Sequence, residues 1–178
     1  MEQNLVIPKK LTSPILKYLL DDKKRKQLLI EHPSHRSGYV CGKRNCITDV
    51  NDLSLHLVEI EKFLLSHYEI TKKDIKDETR YGCLISYSEE GHQVGPHQDY
   101  EPHKDYTHTR FNFMISKPED GGDPIMDEVI YNLKENQVWI CPAGKNKHDI
   151  TIVNGKKPRI LLSYGYFIKN KQFKRIFP

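Results

Sequence analysis

The chain has 178 residues, of which 37% are hydrophobic, 29% charged and 10% aromatic. That length can bury a core without disulfide staples, and 10 Tyr with 6 Phe exclude a disordered chain. The 28 Lys and Arg against 24 Asp and Glu leave a net charge of +4, too mild for a dedicated nucleic-acid binder, and no apolar run is long enough to span a membrane.

In chain order, the N-terminus MEQNLVIPKKL has Glu at position 2 and lacks the apolar stretch of a secretory signal. Ser13-Pro14 predicts a helix start, Ser as N-cap and Pro where the missing N–H costs nothing. Ile15, Leu16, Leu19, Leu20, Leu28 and Leu29 continue a rough 3.6-residue period, with DDKKRK as a solvated face. A second helix is predicted over 52–68, with Leu53, Leu57, Ile60, Leu64 and Tyr68 on one stripe. Cys41 and Cys46 frame CGKRNC, whereas Cys83 and Cys141 sit in strand-like apolar runs. This is a poor zinc pattern, and it predicts reduced thiols in a cytoplasmic protein.

From Arg80 the pattern changes to short strands. YGCLISY, RFNFMIS, DEVIYNL, QVWIC, HDITIV and RILLSYGYF are β-like, and the segments between them are rich in turn formers. Strands so spaced, with no helices between, predict an antiparallel sandwich or barrel supported by the N-terminal helices. The whole is read as one domain: helical support over 1–78, a β core over 79–169, and an exposed basic tail over 170–178.

Four of the nine histidines fall between positions 92 and 108. In extended backbone, residues two apart share a side. His97 and Asp99 of GPHQDY can therefore offer an imidazole and a carboxylate to one ion, with Gln98 turned away. His148 in KHDITIV would add a second imidazole, and two His with one carboxylate leave three positions open on an octahedral ion, which suits non-haem Fe(II). Asn154-Gly155 predicts a hairpin that sets Val153 against Lys156, Ile150 against Arg159 and His148 against Leu161. A four-residue loop accommodates Pro158 and keeps the same parity. His148 and Arg159 would then share a face roughly 7–8 Å apart, with a guanidinium suited to a bound carboxylate.

The run from about Tyr81 to Ile168 resembles the Fe(II)- and 2-oxoglutarate-dependent dioxygenases, most closely their prolyl-hydroxylase-like branch. The landmarks are Tyr87, His97 with Asp99, Arg110, Gly121-Gly122, His148 and Arg159, in the family's order. The resemblance implies a mainly β fold, a double-stranded β-helix (jelly-roll, cupin-like) core buttressed by helices. It implies Fe(II) on His97, Asp99 and His148, and the remote carboxylate of 2-oxoglutarate on Arg159, with Tyr87 contacting that cosubstrate. Relatives often carry a Tyr on the strand after His-x-Asp. RFNFMIS has none, so Asn112 or Ser116 is expected to substitute.

The implied reaction hydroxylates a C–H bond of an amino-acid or peptidyl side chain, prolyl among the candidates, consuming O2 and releasing succinate and CO2. An intact Asp99 favours hydroxylation or demethylation over halogenation. Arg110, Tyr100, Tyr106 and His92 are candidate substrate contacts, although His92, His103 and His108 lie in polar, loop-like surroundings that suit solvated histidines. Trp139 is expected in the core. The alternatives are an AlkB-like nucleic-acid demethylase, whose second Arg on the final strand is replaced here by Gly165, and a cupin-like barrel that binds metal or ligand without turnover.

Overall fold

The computed structural model describes residues 5–28, 30–31, 43–46, 53–79 and 82–177, with residues 30–31 and 43–46 in backbone only. The helices are α1 (Lys9–Leu20), α2 (Asp22–Leu28), α3 (Ser54–His67) and α4 (Asn170–Ile176). The first strands are β1 (Ile30–Glu31), β2 (Lys43–Cys46), β3 (Ile75–Asp77), β4 (Cys83–Ser88), β5 (Val94–His97) and β6 (Tyr106–Ser116). They are followed by β7 (Asp120–Gly121), β8 (Pro124–Met126), β9 (Val129–Ile130), β10 (Val138–Cys141), β11 (His148–Ile150), β12 (Val153–Asn154) and β13 (Arg159–Lys169).

Among the described residues the strands form three antiparallel sheets. The large one runs β1-β2-β4-β13-β6-β10, with β3 extending along the far end of β13. The small one runs β5-β11-β8-β9, and β12 pairs with β7 at the corner between them. Two sheets facing each other across a gap, with helices outside the larger, form a jelly-roll core with helical buttressing.

Strand parity divides the large sheet into two faces. Ile85, Tyr87, Phe111, Phe113, Val138, Ile140, Ile160 and Leu162 pack in one apolar core with Ile15 and Leu19 of α1 and Leu57, Ile60 and Leu64 of α3. The opposite parity, including Arg110, Asn112, Trp139, Leu161 and Ser163, lines a cavity. Two tyrosines on β13 pin α3 in place: the Tyr164 hydroxyl donates to Leu57 O at 2.7 Å and the Tyr166 hydroxyl to Glu61 Oε1 at 2.5 Å.

Several boundaries differ from expectation. Helix α1 starts at Lys9, so Ser13 does not cap it and Pro14 lies inside; the Ser13 hydroxyl instead donates to Lys9 O at 2.7 Å. The stretch read as helical support contributes strands, since β2 pairs with β4 and β3 with β13. DEVIYNL is not one strand: Asp127 and Glu128 have φ of 48° and 68°, a tight turn that folds β9 onto β8. The basic tail docks as α4, with Phe173 buried against the core and its ring 5.3 Å from that of Phe177. Asp52, Leu29, Arg80, Tyr81 and Cys41 lie outside the described residues.

The predicted 148–153/159–167 hairpin does not form. Strand β11 pairs with β5 and β8, while β13 pairs with β3, β4 and β6. Gly155, with φ 92°, turns the chain from one sheet toward the other, and Glu119 Oε2 receives the Lys156 N–H at 2.6 Å. Pro158, which has no N–H to give a ladder, lies in this crossing segment.

Leu64 is fully buried where α3 meets the sheet. Leu64→Ala should cost about 2–5 kcal/mol of stability, measurable as a lower urea midpoint with unchanged slope.

Candidate metal centre and its cavity

Strand β5 ends at His97, and β11 begins at His148 directly opposite it. The two rings lie 4.2 Å apart between centroids, tilted by 51°. Asp99 follows two residues later, its N–H held by Ala143 O at 2.8 Å, while Gln98 turns away to donate to Gly144 O at 2.6 Å. The expected parity therefore holds. One donor atom from each of His97, Asp99 and His148 lies within 4.8 Å of the others.

The rings are oriented from behind. His97 Nδ1 lies 2.9 Å from Gly95 O and His148 Nδ1 lies 3.1 Å from Asn146 O, so each ring donates Nδ1–H to a carbonyl and directs Nε2 to the other side. Burial, and then the neighbouring His97, pull the His148 pKa down to about 4, which keeps it neutral. Two imidazoles backed by carbonyls and one carboxylate form the donor set of a 2-His-1-carboxylate site, and the residues fit Fe(II).

A cavity of about 190 Å³ opens from this trio toward the large sheet. Arg159 lines it from the opposite wall, 2% exposed, donating Nε–H to Gly122 O at 2.7 Å. Burial pulls its pKa down to about 10, against the opposing charge of Asp123, so the guanidinium stays cationic at neutral pH. His148 and Arg159 thus share the cavity from facing sheets rather than from one hairpin. Two glycines shape the Arg159 wall: a Cβ on Gly121 would lie 1.9 Å from Ile152 O, and one on Gly122 would lie 2.9 Å from Arg159 Cδ.

The remaining candidates divide. Asn112 lines the cavity between Ser163 and Trp139 on the neighbouring strands. Arg110 also enters it, buried and paired with Glu78. Tyr87 does not: it shares parity with Ile85, faces the helices, and has the Arg25 guanidinium 4.7 Å over its ring. Ser116 is not among the lining residues, and its hydroxyl donates to Pro158 O at 2.8 Å. His92 braces a turn, its Nδ1 accepting the Glu89 N–H at 2.9 Å. Tyr106 lies outside both cavities described here, under Lys76 Nζ at 4.4 Å.

Other residues lie in or beside the site. Ser88, not Tyr87, pairs directly with Arg159 across β4 and β13, and its buried hydroxyl has no hydrogen-bond partner. Trp139 is buried in a small apolar cluster with Met114, Met126 and Leu133, as expected, and it also lines the cavity, its Nε1–H without a partner. Cys141 lines the same wall as a free thiol, which burial pushes up, so it stays protonated. His108 is buried in β6 instead of solvated. Burial lowers its pKa, with Arg110 adding to the shift; Asp99 opposes it from 3.9 Å. The alternation of polar and apolar residues in RFNFMIS and CLISYS carried the signal for these faces. A second cavity of about 410 Å³, lined in part by Tyr100, His103, His108 and Phe167, meets the first at Asp99 and Arg110. Tyr100 stands exposed at its rim.

No family model and no curated protein matches the sequence. Solved structures do match. A prolyl 4-hydroxylase from Pseudomonas putida superimposes with a TM-score of 0.65 at 14% identity, over 93% of this chain and 89% of that one. The chain has the prolyl-hydroxylase fold. A prolyl hydroxylase from Trichoplax adhaerens, solved with a hypoxia inducible factor peptide fragment, gives 0.66 at 13% identity, over 94% of this chain and 82% of that one. A viral collagen prolyl hydroxylase from Paramecium Bursaria Chlorella virus-1, solved with 2-oxoglutarate, gives 0.59 at 9% identity, over 91% and 92%. In this version of the prolyl-hydroxylase fold, the gap between the two sheets holds the trio on one side and Arg159 on the other.

Gly122 has φ 66° as well as a tight approach to Arg159. Gly122→Ala should cost roughly 1–3 kcal/mol, read from thermal unfolding, and Gly121→Ala more, because its neighbour is backbone that cannot rotate aside.

Proposed function

We propose that the protein is an Fe(II)- and 2-oxoglutarate-dependent dioxygenase that hydroxylates a C–H bond of an amino-acid or peptidyl side chain, releasing succinate and CO2. The observation that carries this reading is the placement of His97, Asp99 and His148 across one small cavity from the buried cation of Arg159. Bound Fe(II) would supply the activation of O2 that the organic side chains lack. The protein's part is to bind, orient and exclude water. Arg159 takes the remote carboxylate of the cosubstrate in a bidentate grip. The orphan hydroxyl of Ser88 supplies a further donor beside it, the role expected of Tyr87. The Trp139 indole N–H offers a donor farther along the wall, and Leu84 and Leu161 keep the cavity dry.

The substrate side chain would approach through the second cavity, between Tyr100, His103 and Phe167. The Trichoplax enzyme's peptide complex supports a peptide substrate over a free amino acid. The protonated thiol of Cys141 accords with a reducing, cytoplasmic setting.

Anaerobic addition of Fe(II) and then 2-oxoglutarate should develop the visible charge-transfer band of the chelate. His97→Ala or Asp99→Ala should abolish the band and succinate release. Arg159→Ala should keep Fe(II) affinity and weaken 2-oxoglutarate binding about 10- to 100-fold, the loss of hydrogen bonds to a charged group. Undiminished succinate production by Asp99→Ala would refute the assignment.

A further inference from the structure

The two oxygens of Asp99 face different neighbours. Oδ1 lies 3.9 Å from His97 Nε2, on the metal side. Oδ2 lies 3.5 Å from Arg110 Nε and 3.9 Å from His108 Nδ1. Arg110 is held at its other end: Nη1 donates to Ser163 Oγ at 2.9 Å and Nη2 to Glu78 Oε2 at 2.5 Å. Each guanidinium nitrogen thus addresses an oxygen on a different part of the chain. The guanidinium also passes over bare backbone, since Gly165 is its cross-strand partner and a Cβ there would lie 3.2 Å from Nη2 and 3.0 Å from Glu78 Oε2.

A buried cation this close to a metal ligand would by itself compete with the metal for the carboxylate. Glu78, buried beside it, offsets that charge. A carboxylate free to rotate could bind an ion through both oxygens and fill a position that a chelating cosubstrate needs. We infer that Arg110, anchored by Glu78, is a positioning residue that holds Oδ2 of Asp99 away from the metal, so that Asp99 ligates through Oδ1 alone. This rests on the metal reading proposed above.

The inference makes opposite demands on the two partners. With the full chain and Mn(II) as probe, Arg110→Gln should bind the ion no more weakly than wild type, because a repelling charge is gone and a second oxygen is released. The Mn(II)-loaded variant should nonetheless bind 2-oxoglutarate about tenfold more weakly, and the Co(II)-substituted variant should show altered visible bands. Glu78→Gln should do the reverse, weakening Mn(II) about tenfold, since an uncompensated Arg110 then draws on Asp99. Arg110→Lys should restore only part of the cosubstrate affinity, lacking the planar fork.

Weaker Mn(II) binding by Arg110→Gln, with cosubstrate affinity of the loaded form unchanged, would reduce Arg110 to a structural support and overturn the inference. So would wild-type behaviour of both variants. Should Arg110→Gln fail to fold, Glu78→Gln decides: unweakened Mn(II) binding overturns the inference. The metal reading fails separately, if wild type and His97→Ala bind Mn(II) equally poorly.

Discussion

The pairing of His97 with His148 across β5 and β11 is the contact on which the site depends. Antiparallel register places the two imidazoles side by side, and a slip of one residue would turn one of them to the other face. Because the second imidazole comes from a strand about fifty positions downstream, the donor set exists only once the small sheet has formed. Asp99 joins it through backbone, its N–H fastened to Ala143 O beside the end of β10. The three donors are therefore held by main-chain ladders and carbonyls rather than by mobile side chains, which preserves their geometry.

The opposite wall is organised around buried cations. Arg159 and Arg110 both lie inside, where an unpaired charge is costly, and both are fixed by specific acceptors. Each also lies against a glycine, where a side chain would crowd Cδ of Arg159 at Gly122 and the guanidinium of Arg110 at Gly165. The Trp139 indole N–H, without a partner, lines the same cavity. Behind it, the apolar parity of the same strands packs on α1 and α3, so the rigidity of the helical core carries over to the cavity wall.

Much of this was legible along the chain, and the misses have physical causes. His-x-Asp at the end of an extended segment declared a shared face, and the structure keeps it. RFNFMIS declared two faces, yet Arg110 was left open because its partner Glu78 lies 32 residues earlier. In CLISYS the bulky Ile85 and Tyr87 share one parity and the small Ser86 the other, so the strand's own pattern turns Tyr87 to the helices and Ser88 to Arg159. The landmark order of the family pointed to Tyr87 against that pattern. The tail was read as exposed because its cations dominate its composition, while Phe173, Ile176 and Phe177 pack on the core and Gln172 donates to Tyr68 O, which docks it.

By itself, the sequence determined which residues could share a face, because alternation with period two is a property of a single strand. It also determined the chemistry on offer: two imidazoles, a carboxylate and a guanidinium. Only the tertiary structure decided which strands are neighbours. Asn154-Gly155 looked like a local hairpin, but β11 and β13 find other partners and face each other across the cavity. Strand pairing is a competition among distant segments, settled by burial of the whole sheet, and no window of adjacent residues contains its outcome.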